Sequence, residues 1–144
     1  MSNLQKELNQ LVASWSVLYT KLHNFHWYVK GPSFFTLHIK FEELYNEAAL
    51  NLDNIAERLL ALGGQPVATL KEHLEISKIK EAEGHETAEQ MVETLIQDFD
   101  IVKKNLRSGM IEAANENDDM TQDLLNAINQ SLEKHVWMLK AFIS

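Results

Sequence analysis

His26, His38, Asp53 and Glu57 are the residues of this chain whose types and spacing best fit metal chemistry. His38 and Glu42 stand one helical turn apart, as do Asp53 and Glu57, so on a helix each pair aims two donors at one point. Imidazole and carboxylate suit iron or zinc better than copper(I), and the chain has no cysteine to add thiolate ligation or a disulfide. On one continuous helix, Glu42 and Asp53 are separated by roughly 16 Å of axial rise, several times the reach of a single ion's coordination shell. One chain cannot close that gap. Two antiparallel copies related by a twofold axis can, because the His38 end of one helix then faces the Asp53 end of the other. The spacing predicts a metal site shared between subunits.

The elements that must position these groups are helical. Leu4, Leu8, Leu11, Trp15, Leu18, Leu22 and Phe25 keep helical spacing until Gly31-Pro32, which predicts a first helix over roughly 4–30. Ser33 is the expected N-cap of a second helix over roughly 34–62, with Leu37, Phe41, Leu44, Ala48, Ile55 and Leu59 on one face and Gly63-Gly64 as its C-terminal cap. Residues 65–84 form a connection too long for an ordinary bundle turn, and Leu70, Leu74 and Ile76 after Thr69 predict a short helix within it. Thr87 with Gln90 opens a third long helix to about Ala114 as a capping box. Asn117 is the expected cap of the last helix, with Asp118 and Asp119 in its first turn. The class is all-α: a single domain over 1–144, a ferritin-like four-helix bundle with a short extra helix in the crossover between the second and third long helices. The chain reverses at Gly31-Pro32, so His26 and His38 come to similar height on facing helices, two histidines of one site from one chain.

Each candidate has a plainer alternative. Acid pairs at i,i+4 occur five times, at Glu43/Glu47, Asp53/Glu57, Glu89/Glu93, Glu112/Glu116 and Asp119/Asp123, and most must be solvated helix faces. Asp53 and Glu57 can equally serve Arg58 or another base, and His38 among Phe34, Phe35, Leu37 and Phe41 can be a histidine bonded to backbone. His23 and His26, one turn apart, are a further possible pair. No Glu stands three residues before any histidine, so the Glu-x-x-His pattern of a di-iron site inside a bundle is missing. His73, His85 and His135 show no partner in the sequence and read as structural or surface residues. Trp15, Trp27 and Trp137 read as packing anchors, although Trp27, next to His26, is placed to donate an electron to an iron-peroxide centre.

Composition narrows the function classes. The 144 residues with 45% hydrophobic content suffice for a full core. A formal charge of −8 and the absence of a basic arm argue against nucleic-acid binding and favour attraction of cations. No apolar run reaches the ~20 residues of a membrane span, and the N-terminus lacks the layout of a signal peptide, so a cytoplasmic protein is expected.

Asn24-Phe25-His26-Trp27, then Gly31-Pro32, Leu37-His38, Phe41-Glu42-Glu43-Leu44-Tyr45 and Asp53 through Ala56-Glu57-Arg58 form a pattern that resembles the Dps family, or mini-ferritins. The likeness is close over roughly 15–66 and rests on helix order elsewhere. It implies a hollow dodecameric shell with tetrahedral symmetry that oxidises Fe(II), preferentially with hydrogen peroxide, and stores the ferric product, coupling iron storage to peroxide removal. It further implies iron ligation by His26, His38 and Glu42 from one subunit and by Asp53 and Glu57 of the partner subunit, Glu57 bridging. Many relatives carry Asp where this chain has Glu42, whose longer side chain leaves direct or water-mediated contact open. Asp119 and Asp123, near the start of the last helix, correspond to acidic threefold pores in the family; the plain alternative is compensation of the helix N-terminus. Some relatives bind DNA through lysine-rich tails, which this chain lacks, so no direct DNA binding is expected. The alternatives are a helical assembly without iron chemistry and a DNA-compacting protein; an adhesin role, known for some relatives, leaves no mark here.

Overall fold

The computed structural model describes residues 1–144. It contains α1 (Asn3–Tyr28), α2 (Phe34–Ala61), α3 (Leu70–Ile76), α4 (Ala88–Asn115) and α5 (Asp119–Ile143), and no strand. α1 packs along α2 and α4 along α5, and α1 joins the two pairs by also lying against α4 and α3. Leu8, Leu11, Trp15, Phe25, Phe41, Phe99, Leu125 and Leu132 are among the residues that fill the single core. Truncating one of its large aromatic side chains, Phe41→Ala for example, would cost about 3–5 kcal/mol. The expected helices are all present, with α3 in the crossover between α2 and α4. None of them is long and apolar enough to cross a membrane.

The helix ends match expectation at some junctions and depart from it at others. Gly63 adopts φ +82°, and the N–H groups of Gly64 and Gly63 close back on the carbonyls of Leu59 and Leu60, the paired bonds that end a helix at a left-handed residue. Thr87 and Gln90 bond reciprocally, as a capping box does. Ser33 is the residue before α2, but its side chain caps nothing. Asn117 is not the cap of the last helix. It takes φ 57° and ends α4, with Asn117 and Asp118 N–H groups bonded to the carbonyls of Ala114 and Ala113. Asp118 then caps α5 by accepting from Thr121 N–H. Two helices separated by so few residues share one junction: Asn117 takes the left-handed turn, which Asn is among the few non-glycine residues to adopt, and Asp118 is left to cap α5.

Polar residues on α1 pin the crossover. Asn9 receives the Val67 N–H and donates to the Gln65 carbonyl, while Ser14 accepts from Lys78 N–H. Lys21, buried, pairs with Asp98 of α4 at 2.7 Å and donates to the Lys80 carbonyl at 2.8 Å. One ammonium thereby ties α1, α4 and the crossover together. Burial pushes the Asp98 carboxyl above its usual range, and the Lys21 hydrogen bond and charge offset part of that.

Candidate metal centre

Gly31, at φ +102°, reverses the chain and sets the end of α1 beside the start of α2. His26 and His38 meet across this hairpin. His26 Nδ1 lies 2.6 Å from the His38 carbonyl, and His38 Nδ1 lies 2.8 Å from the His26 carbonyl. A carbonyl can only accept, so both Nδ1 atoms carry hydrogen, and in the neutral rings both Nε2 lone pairs are free. The rings stack at 3.8 Å with 11° between planes, and Phe34 stacks on the other face of His38 at 4.8 Å. This backbone locking of the far nitrogen is what fixes tautomer and orientation in metal-binding histidines. The plainer alternative, a histidine bonded to backbone, and the metal-ligand reading therefore describe the same two bonds.

Two of the other histidines, His73 and His135, differ in a way that can be counted atom by atom, whereas His23 shares the single backbone bond through Nδ1. His73 uses Nδ1 with Ser16 Oγ and Nε2 with the Val67 carbonyl. His135 meets Lys40 at Nδ1 and Glu47 at Nε2, and Ser131 donates to the same Glu47 carboxylate. Neither ring has a nitrogen to spare, and both have partners that the sequence did not reveal. His85 pairs with Glu83 on an exposed loop. His23 donates from Nδ1 to the Tyr19 carbonyl at 2.8 Å and stacks on Tyr45 at 3.7 Å.

Of the carboxylates, Glu42 lies near the pair, with Oε1 3.9 Å from His26 Nε2. It is otherwise exposed. Asp53 and Glu57 are exposed on the same helix one turn apart, and neither enters any ion pair of the chain. Arg58, the expected alternative partner, turns instead to Asp118 at 3.0 Å and Thr121 at 2.8 Å. Burial tends to raise Asp118, but the Thr121 hydrogen bonds and Arg58 hold its carboxyl below the usual range. No group of three or more His, Asp or Glu of one chain converges on a point where a metal ion would sit. His26, His38 and Glu42 are together; Asp53 and Glu57 are further along α2.

Trp27 is 68% exposed and touches the ring of His23 rather than those of His26 or His38. Tyr45 is the aromatic that spacing alone did not single out: its ring stands edge-on to His26, at 5.3 Å and 85°. Its place one turn from Phe41 and Glu42 was the available signal. Asp119 and Asp123 are exposed on the first turns of α5, lining a shallow depression with Met110, Gln122 and Asn126.

The ferritin-like domain family matches residues 5–144. The chain is 62% identical to DNA protection during starvation protein 2 of Bacillus anthracis over 95% of this chain and 94% of that one. It is 56% identical to general stress protein 20U of Bacillus subtilis, over 97% of each chain. The crystal structure of Dps from Staphylococcus aureus superposes with a TM-score of 0.97 at 56% identity, covering 99% of this chain and 95% of that one.

Proposed function

The chain belongs to the Dps family of ferritin-like proteins, and from that premise we propose that it is a ferroxidase that oxidises Fe(II) with hydrogen peroxide and stores the ferric product in a dodecameric shell. The ferritin-like fold and the relatives support an iron-binding, protective role of the Dps type. The observation that carries the finer reading is the reciprocal bonding of His26 and His38, which leaves an Nε2 lone pair on each of two stacked rings, that of His26 3.9 Å from Glu42. Asp53 and Glu57, exposed and unpaired in their own chain, complete the ligand set in a twofold neighbour. Nitrogen and oxygen donors without thiolate suit Fe(II), and a site richer in carboxylate oxygen favours the harder Fe(III) product.

In this reading Fe(II) is the substrate. Hydrogen peroxide takes up two electrons and two protons to give two waters, and two Fe(II) supply the electrons. His26 and His38 hold metal in fixed orientation, since their rings are locked before it arrives. Asp119 and Asp123 contribute to an acidic path that concentrates cations at the threefold pore. Ferric ion then leaves the oxidation site for carboxylates on the inner wall. A formal charge of −8 disfavours DNA binding, so protection in this reading acts by removing iron and peroxide in the cytoplasm. Retention of DNA by the apo protein in a gel, reversed by salt, would contradict that part.

The test is an anaerobic Fe(II) titration of apo protein followed by peroxide, for the wild type and for His26→Ala/Glu57→Ala. Oxidation at about one peroxide per two Fe(II), lost in the variant, is expected. Equal slow rates in both would leave a helical assembly without iron catalysis.

A further inference from the structure

We propose that Phe34 is a positioning residue of the metal centre: its ring holds His38 in the orientation at which Nε2 meets metal. The inference rests on the metal-binding reading above and adds to it a residue that itself donates nothing to metal.

His26 and His38 make matching bonds to each other's carbonyls, yet their rings are held unequally. His26 is buried at 6% exposure, with the Tyr45 ring edge-on to it at 5.3 Å. His38 is only half-buried. A hydrogen bond fixes one ring atom and a direction, and the torsion that turns a histidine ring about Cβ–Cγ is soft. The 2.8 Å bond from His38 Nδ1 to the His26 carbonyl therefore leaves the ring plane able to rock about that bond. Contacts on its two faces stop the rocking. The His26 ring lies on one face at 3.8 Å with 11° between planes, and the Phe34 ring on the other at 4.8 Å with 20°.

Phe34 is suited to this by position and by chemistry. It stands four residues before His38, so successive turns of α2 bring the two rings together. It opens α2, packs against the core, and has the Phe35 ring edge-on at 5.5 Å. The fixed position of the core thereby reaches a ligand at the surface. A phenyl ring also carries no donor or acceptor that would compete for Nε2 or for metal. An aliphatic side chain fills similar space without presenting a plane.

The experiment is an anaerobic Co(II) titration of assembled apo protein, read by the d–d absorption of bound Co(II), with assembly checked by light scattering. Wild type is compared with Phe34→Leu, Phe34→Met, Phe34→Tyr, His38→Ala, Phe34→Leu/His38→Ala and His26→Ala/His38→Ala. Loss of a residue that supports a metal ligand costs 10–100-fold in affinity, so about tenfold weaker binding is expected for Phe34→Leu and Phe34→Met, with Phe34→Tyr within about twofold of wild type. The band shape at saturation, which a loss of stability alone would not alter, should change in the two aliphatic variants and be kept in Phe34→Tyr. His38→Ala sets the floor, and adding Phe34→Leu to it should weaken binding no further. Wild-type affinity and band shape in Phe34→Leu overturn the assignment, as do a Phe34→Tyr variant as weak as Phe34→Leu or a double variant weaker than His38→Ala. Failure of both aliphatic variants to assemble also overturns it, since Phe34 would then hold the fold rather than the ligand. Wild-type protein that binds no Co(II), or binds it equally well after His26→Ala/His38→Ala, would sink the metal-site reading itself, and this inference with it.

Discussion

Glu47 and the Asp53/Glu57 pair lie within three turns of each other on α2, yet their surroundings are opposite. Glu47 accepts from His135 and Ser131 of α5, and the His135 hydrogen bond above all holds its carboxyl below the usual range. Asp53 and Glu57 are exposed, and the neighbouring arginine is committed to Asp118. The histidines divide the same way. His73 and His135 use both ring nitrogens inside the fold, whereas His26 and His38 use one each on backbone and leave the other free. Donors and acceptors that the fold engages on one side of α2 contrast with those it leaves open on the other, and open ones are available to something outside the chain. In the proposed function that something is a metal ion and a second copy.

If the division is real, changes on the satisfied side alter stability and changes on the unsatisfied side alter iron chemistry. The largest stability effect belongs to Asp98→Ala, which strands the buried Lys21 charge and should cost about 3 kcal/mol or more, read by urea unfolding at fixed protein concentration. Iron oxidation per folded site should be unaffected; a selective loss of activity would blur the division. Next comes Asp53→Ala/Glu57→Ala, expected to slow Fe(II) oxidation by more than about 100-fold, since even supporting residues of metal sites cost 10–100-fold. Helical content by circular dichroism should stay at the wild-type level, and a partly unfolded variant would show these acids to be structural after all. The smallest effect is at Glu47. Its depressed folded value means its contribution is present at neutral pH and is lost as pH falls through that value. The wild type's advantage over Glu47→Gln, about 1 kcal/mol or less for a part-exposed pair, should shrink on acidification. An advantage that grows toward low pH would contradict the sign.

Much of this was legible in the sequence because it depends on periodicity. The helix spans follow from three- and four-residue steps, and the Gly31-Pro32 and Gly63-Gly64 breaks follow from backbone geometry. The separation of Glu42 from Asp53 along α2 needed only the rise of a helix. What escaped was set by tertiary neighbours. The reciprocal carbonyl bonds of His26 and His38 depend on the depth and rotation of two helices at the turn, which no spacing rule encodes. The partners of His73 and His135 lie 57 and 88 residues away, at Ser16 and Glu47. Asn117 and Asp118 both suit an N-cap by type, and the choice fell to Asp118 because the preceding helix uses Asn117 to end itself. Trp27 drew attention by adjacency to His26, but successive residues of a helix point about 100° apart, and Tyr45 on the facing helix is the closer neighbour.

Whether each oxidation site is built from two chains is tested most directly by mixing two inactive variants. His26→Ala/His38→Ala and Asp53→Ala/Glu57→Ala are unfolded together in equal amounts, refolded and assayed with Fe(II) and hydrogen peroxide. A twofold pair containing one chain of each kind has one site with every ligand and one that keeps only Glu42, so random pairing restores about one quarter of the sites. Activity near that level, absent from either variant refolded alone, is the predicted result. No recovery, with mixed pairs demonstrated by mass spectrometry, would place the ligands of each site within one chain and contradict the shared-site mechanism.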